Sequence, residues 1–206
     1  MIIKAKHNIF IDSFFRFFVI WKMKRAFHAF KTEKSVEDKN LPILLICNHI
    51  SWWDGLWTLH INQLHYHRKY HFMMLEEQLQ KNWFFKYTGG FSIRKNSKSV
   101  IESLNYTAEL LADNKNMVLI FPQGEIGSMH DTAFVFEKGI SKILQRTKNE
   151  IQVIFVANLV DYHSNVKPTL HAYLGDYTGS FETTEIQVAY NNFYKNCISN
   201  HIKMKG

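Results

Sequence analysis

A histidine and an aspartate five residues apart, His49 and Asp54, follow directly on the apolar run Leu41–Cys47. A neutral imidazole can take the proton of a hydroxyl, and a nearby carboxylate can fix its tautomer and stabilise the imidazolium that forms. Such a pair is the minimum equipment for general-base activation of an alcohol. Spacing alone is weak, because a chain with 11 His and its few aspartates yields about 0.4 His-x-x-x-x-Asp matches by chance. Three occur: His7/Asp12, His49/Asp54 and His171/Asp176. On a continuous helix a five-residue offset turns two side chains about 140° apart, so a bend must bring them together. Only His49/Asp54 straddles the end of a buried strand and the start of a helix. Ser51 and Asp54 also read as a helix capping box, a purely structural role.

Two further groups of residues follow strands. Pro122-Gln123-Gly124-Glu125 comes after Met117–Phe121, and Gly124 permits positive φ or close approach of a ligand, with Gln123 and Glu125 offering acceptors beside it. Gly89 and Gly90 precede a short apolar segment, Phe91–Ile93, that delivers Arg94 and Lys95. A guanidinium binds phosphate or carboxylate through two parallel hydrogen bonds.

The elements that must position these residues alternate. The continuous apolar run Leu41–Cys47, the segment Met117–Phe121 and the longer, mostly apolar Ile151–Val160 read as buried strands of a parallel sheet, joined by Tyr70–Leu75, Phe91–Ile93 and Leu170–Leu174. Helical periodicity covers Ser51–Leu64, Glu76–Tyr87, Ser99–Ala112, Phe136–Arg146 and Thr184–Asn200. This alternation predicts a single α/β domain with a mostly parallel central sheet, whose ligand site lies beyond the carboxyl ends of the strands. A polar linker is expected from Thr32 to Asn40. It would divide an N-terminal helix, within residues 1–31, from a catalytic domain spanning residues 41–206.

Composition agrees with one folded domain. The 206 residues are 46% hydrophobic with only 9 Gly and 3 Pro, which excludes collagen-like and low-complexity classes. The charge of +7 predicts an anionic partner without naming it. Cys47 and Cys197 lack metal-ligand spacing and are too few for a disulfide framework, so a reducing compartment fits. No nucleic-acid motif is present. From Ile9 to Phe30 a helix carries Phe10, Phe14, Phe17, Phe18 and Trp21 on one stripe, with Val19, Ile20, Met23 and Phe27 on other faces. One side would meet the protein core and another lipid, while Lys22, Lys24, Arg25 and Lys31 suit anionic headgroups.

Taken together, the three groups resemble the glycerophospholipid acyltransferase family, which includes 1-acylglycerol-3-phosphate acyltransferase. Asn48, His49, Ser51 and Asp54 match its Asn-His-x-Ser-x-x-Asp motif. Gly90, Phe91, Ile93 and Arg94 match a second motif, and Phe121, Pro122 and Gly124 match part of a third. The resemblance implies acyl transfer from acyl-CoA or acyl carrier protein to the hydroxyl of a lysophospholipid-type acceptor. His49 would be the base and Asp54 its partner, with Asn48, Ser51, Arg94, Gln123, Gly124 and Glu125 around the substrates. Backbone N–H groups near Ser51 would receive the oxyanion, and no metal or bound cofactor is required. It also implies a monotopic protein on the cytoplasmic face of an anionic membrane. Where the family usually has Glu and Thr-Arg in the third motif, this chain has Gln123 and Glu125-Ile126, and Gly89 stands where a Lys is frequent. A non-phosphate acceptor (an amino-acid lipid or glycolipid) and an inactive lipid-binding module are the alternatives those departures leave.

Overall fold

The computed structural model describes residues 2–95 and 98–204. Its centre is a seven-stranded sheet built from β1 (Ala29–Lys34), β2 (Ile43–Cys47), β3 (Lys69–Leu75), β4 (Gly90–Ile93), β5 (Asn116–Ile120), β6 (Gln152–Asp161) and β7 (Thr169–Tyr177). The spatial order is β1-β7-β6-β2-β5-β3-β4. All neighbours run parallel except β6 and β7. The alternating strands and helices thus give the single-domain α/β fold expected from their pattern.

The runs that read as fully apolar are buried on both faces of the sheet. Ile43, Leu45 and Cys47 of β2 enter one core with Met117, Leu119, Ile154 and Val156. Leu44 and Ile46 enter the other with Val118, Ile120, Val153 and Phe155. This period of two is the strand's own geometry, and burial on both sides removes any polar face. Helices α1 (Ile9–Ala26) and α2 (Asp54–Ile61) contribute Val19, Met23 and Trp57 to the first core. On the other face α4 (Ser99–Leu110), α5 (Gly139–Arg146) and α6 (Thr183–Ile202) contribute Leu104, Ile143 and Tyr190.

Several boundaries depart from the sequence pattern. The first helix ends at Ala26, with Phe27 already extended, and β1 occupies the start of the expected linker. Its residues are largely polar and only half-buried, so they carry no apolar signal. β1 exists because it pairs along β7 from Ala29↔Thr169 to Lys34↔Tyr173. After α2 a π-helical turn over Asn62–Tyr66 ends at His67, whose φ is +55°. The expected helix Glu76–Tyr87 breaks at Asn82 into α3 (Glu76–Lys81) and a 3₁₀ turn, Trp83–Thr88.

The chain before α1 is also tied to the main body. Ile3 and Ser92 exchange two hydrogen bonds, at 2.8 and 2.9 Å, and the Asn8 N–H donates to Tyr87 O at 3.0 Å. α1 is therefore anchored at both ends, by this segment and by β1.

Candidate active site

Asn48 is where the chain leaves the sheet. Its side-chain Nδ2 donates to Asn158 O at 3.1 Å and its Oδ1 accepts from Asn158 N–H at 2.9 Å. The amide thus stands in for the next rung of the β2–β6 ladder, satisfying two buried backbone groups. His49 is released from strand geometry one residue later. Asn48 is fully buried, so it shapes the strand end and presents no surface to a substrate.

The bend expected between His49 and Asp54 is present. His49 Nδ1 lies 2.8 Å from Asp54 Oδ2, which also accepts the N–H groups of Ile50 at 2.7 Å and Ser51 at 2.8 Å. Three donors on one oxygen suit a carboxylate, which only accepts. Asp54 is fully buried. Burial pushes its carboxyl up, against the hydrogen bonds from His49, Ser51 and Ile50 that pull it down. Half of the capping box forms, since Asp54 reaches back to Ser51 N–H. The other half does not, because Ser51 Oγ accepts from Trp53 N–H at 3.2 Å and α2 begins at Asp54 itself.

The other two His/Asp matches come apart. Asp12 pairs with Arg16 and His7 packs edge-on against His71 at 4.8 Å. Asp176 pairs with Lys39, while His171 meets Glu33.

The segment after β5 cradles His49. The Phe121 ring stacks on the imidazole at 3.9 Å between centroids and 9° between planes. Gln123 Oε1 accepts the His49 N–H at 2.8 Å, and Gly127 N–H donates to His49 O at 2.8 Å. The position that departs from the family pattern therefore acts here as a neutral hydrogen-bond acceptor. Gly124 takes φ +71°, and a Cβ there would sit 3.3 Å from Lys95 Nζ. Side chains of α6 hold the far end of the same loop: Gln187 accepts Phe136 N–H and Asn191 accepts Phe134 N–H.

A cavity of about 1240 Å³ opens beside His49. Leu56, Phe72, Met73, Met74, Leu104 and Ile143 are among its apolar walls, with Lys95, Lys98, Glu125 and Glu137 as charged members. Arg94 lies elsewhere: its guanidinium, largely exposed, pairs with the buried carboxylate of Glu76. Gly89 cannot hold a lysine in this fold, because it takes φ +108° and a Cβ would stand 1.9 Å from Tyr70 O. Sequence reasoning passed over Gly127 and Trp52, and it named Phe121 as a motif match without giving it a role at the site. For Phe121 a signal existed, since β2 and β5 are neighbours in register and both end at the site. Gly127 and Trp52 are placed only by loop conformation.

A mostly parallel sheet thus carries a histidine–carboxylate pair and an apolar cavity at its strand ends, the arrangement of an α/β fold with a ligand site there. The profile of the Acyltransferase family matches residues 28–157, most of the chain, and the protein belongs to that family. Among solved structures it is similar to the 1-acyl-sn-glycerophosphate (LPA) acyltransferase PlsC from Thermotoga maritima. The two share 19% identity over 93% of this chain and 79% of that one, with a TM-score of 0.66. No curated protein sequence matches the chain significantly.

Proposed function

We propose that the protein transfers a fatty acyl group from an acyl thioester, on coenzyme A or acyl carrier protein, to the hydroxyl of a lysophospholipid-type acceptor. The observation that carries this reading is the placement of His49 between Asp54 and the apolar cavity. With Nδ1 engaged by Asp54, Nε2 is the nitrogen left to accept the acceptor's proton. The hydroxyl oxygen then attacks the thioester carbonyl and forms a tetrahedral intermediate. Collapse of that intermediate breaks the C–S bond, and the imidazolium returns its proton to the departing sulfur. Asp54 stabilises the imidazolium between those two steps.

The oxyanion needs a donor. The N–H groups of Ile50 and Ser51 are spent on Asp54. Trp52 N–H has no acceptor among the described residues, and Trp52 lines the cavity with His49. It is the backbone donor of this turn best suited to the role. Lys95 supplies the positive charge nearest Gly124, where an anionic headgroup would meet neither the family's third-motif Arg nor a lysine at position 89. The apolar walls accept an acyl chain.

The exposed side of α1 supports work at a lipid surface. Phe10, Phe14, Phe17 and Trp21 project on one face, with Phe10 82% exposed, while Phe15, Val19 and Met23 are buried opposite. Among the described residues no helix is long and apolar enough to cross a membrane. A helix of this kind lies in the interface with its aromatic face among the acyl chains. A cytosolic thioester donor would place that surface on the cytoplasmic side.

The test is acyl transfer from a labelled acyl thioester to lysophosphatidate and to a neutral monoacylglycerol. Wild type should form product from lysophosphatidate, and His49→Ala should lose it by about 10²- to 10⁴-fold with its circular dichroism unchanged. Equal rates in the two proteins would remove the catalytic assignment. A preference for the neutral acceptor would remove only the anionic one.

A further inference from the structure

Outside the cavity, His163 and His171 of the β6–β7 hairpin converge with His201 at the end of α6. One ring nitrogen from each of His163, His171 and His201 lies within 4.8 Å of the other two. His171 and His201 are buried and their ring centroids are 4.6 Å apart, while His163 is exposed on the turn with φ +44°.

Two of the rings are oriented by carboxylates. Glu33 Oε1 on β1 lies 2.6 Å from His171 Nδ1, and Asp161 Oδ2 at the end of β6 lies 2.6 Å from His201 Nε2. A carboxylate fixes the proton on the nitrogen it contacts and leaves the other nitrogen with a free lone pair. For His171 that other nitrogen, Nε2, is buried and has no hydrogen-bond partner among the described residues. Polar atoms in protein interiors are ordinarily satisfied, so an oriented, buried, unpartnered lone pair beside two more imidazoles points to a ligand. On His201 the other nitrogen, Nδ1, lies 3.0 Å from the Tyr173 hydroxyl, which also reaches Met204 Sδ at 3.4 Å. That hydroxyl can turn to the sulfur and free Nδ1.

We infer that His163, His171 and His201 form a binding site for a divalent transition metal of the zinc class, with Glu33 and Asp161 as the groups that orient two of the ligands. Neutral imidazoles suit Zn²⁺, Co²⁺ and Ni²⁺ rather than Ca²⁺ or Mg²⁺, which take oxygen ligands. Zinc–nitrogen bonds of about 2.0–2.1 Å put tetrahedral ligand atoms about 3.4 Å apart, so the site must tighten on binding. His163, on an exposed turn, is the ligand free to close. Water completes the fourth position. The ion would fasten the β6–β7 turn, β7 and the last turn of α6 together, with β1 held through Glu33. Its role is structural and independent of the acyl-transfer reading.

Protein treated with a chelator and then dialysed is titrated with Zn²⁺ against a chromogenic competitor, with melting temperature followed in parallel. Wild type should take up one equivalent and melt higher with Zn²⁺. His163→Ala, altered at an exposed turn, should bind at least about 10-fold more weakly and lose the Zn²⁺-dependent rise. Glu33→Gln should lower affinity about 10- to 100-fold. Wild type that binds no stoichiometric Zn²⁺ would overturn the inference. So would equal affinity in wild type and His163→Ala, which would place any bound ion on other histidines.

Discussion

His49 and His171 are held by the same device and face opposite surroundings. Each has a carboxylate at Nδ1, Asp54 at 2.8 Å and Glu33 at 2.6 Å. The far side of His49 opens on an apolar cavity of about 1240 Å³, whereas that of His171 is buried beside two other imidazoles. A carboxylate on one ring nitrogen therefore does not define a catalytic base. It makes the opposite nitrogen a directed lone pair, and the different space in front of it underlies the two roles we propose, proton acceptor for His49 and metal ligand for His171.

On this contrast the charge of Asp54 matters to the rate more than to the fold. Asp54→Asn keeps an oxygen for the three donors that now meet Oδ2, so His49 should stay in place. The neutral amide no longer stabilises an imidazolium, and acyl transfer should fall by about 10²- to 10³-fold with the melting temperature nearly unchanged. Wild-type turnover in Asp54→Asn would reduce Asp54 to a structural cap.

A smaller effect is expected at Gln123, which only accepts the His49 N–H. Gln123→Glu should retain activity within a few fold, since a carboxylate accepts the same bond. Gln123→Leu strands that N–H at a cost of about 1–3 kcal/mol and should lower turnover about 10-fold. Equal losses in the two variants would mean that Gln123 acts on the substrate instead.

The smallest effect concerns His7 and His71, which have no carboxylate bonded to either ring among the described residues. Burial, and then the charge of Lys69, holds His7 down to about 4; burial, and then His7, holds His71 down to about 3. In the unfolded chain both titrate near 6.5. Between those values the unfolded state binds more protons, so the folded state loses stability as pH drops from about 6.5 toward 4 and 3. Melting temperature against pH should decline across that interval, and His71→Gln should flatten part of the slope. A slope identical to wild type would show that the acid sensitivity lies elsewhere.

The legibility of the molecule followed apolar patterning. β2, β5 and β6 were readable because burial on both faces makes them predominantly apolar. β1 was not, since an edge strand with Lys31, Glu33 and Lys34 is defined by its partner and not by its composition. The break at Asn82 escaped for a related reason: helical periodicity continues across it, and only packing of Phe85 against Phe72 and Phe15 shows that the chain has turned. At the site, His49 and Asp54 stood out because their spacing falls across a strand end. Lys95 next to Gly124 did not, because Arg94 beside it is the residue type that chemistry favours.

By itself the sequence determined the α/β alternation, the strand ends that frame a site and the residue types gathered there, all consequences of local order along the chain. The tertiary structure alone decided that Arg94 turns to Glu76 while Lys95 faces the cavity, that Asn48 and Gln123 serve the backbone around His49, and that His163, His171 and His201 meet. Those outcomes depend on which distant segments share a surface. Parallel pairing and helix packing set that surface, and no spacing within a single segment encodes it.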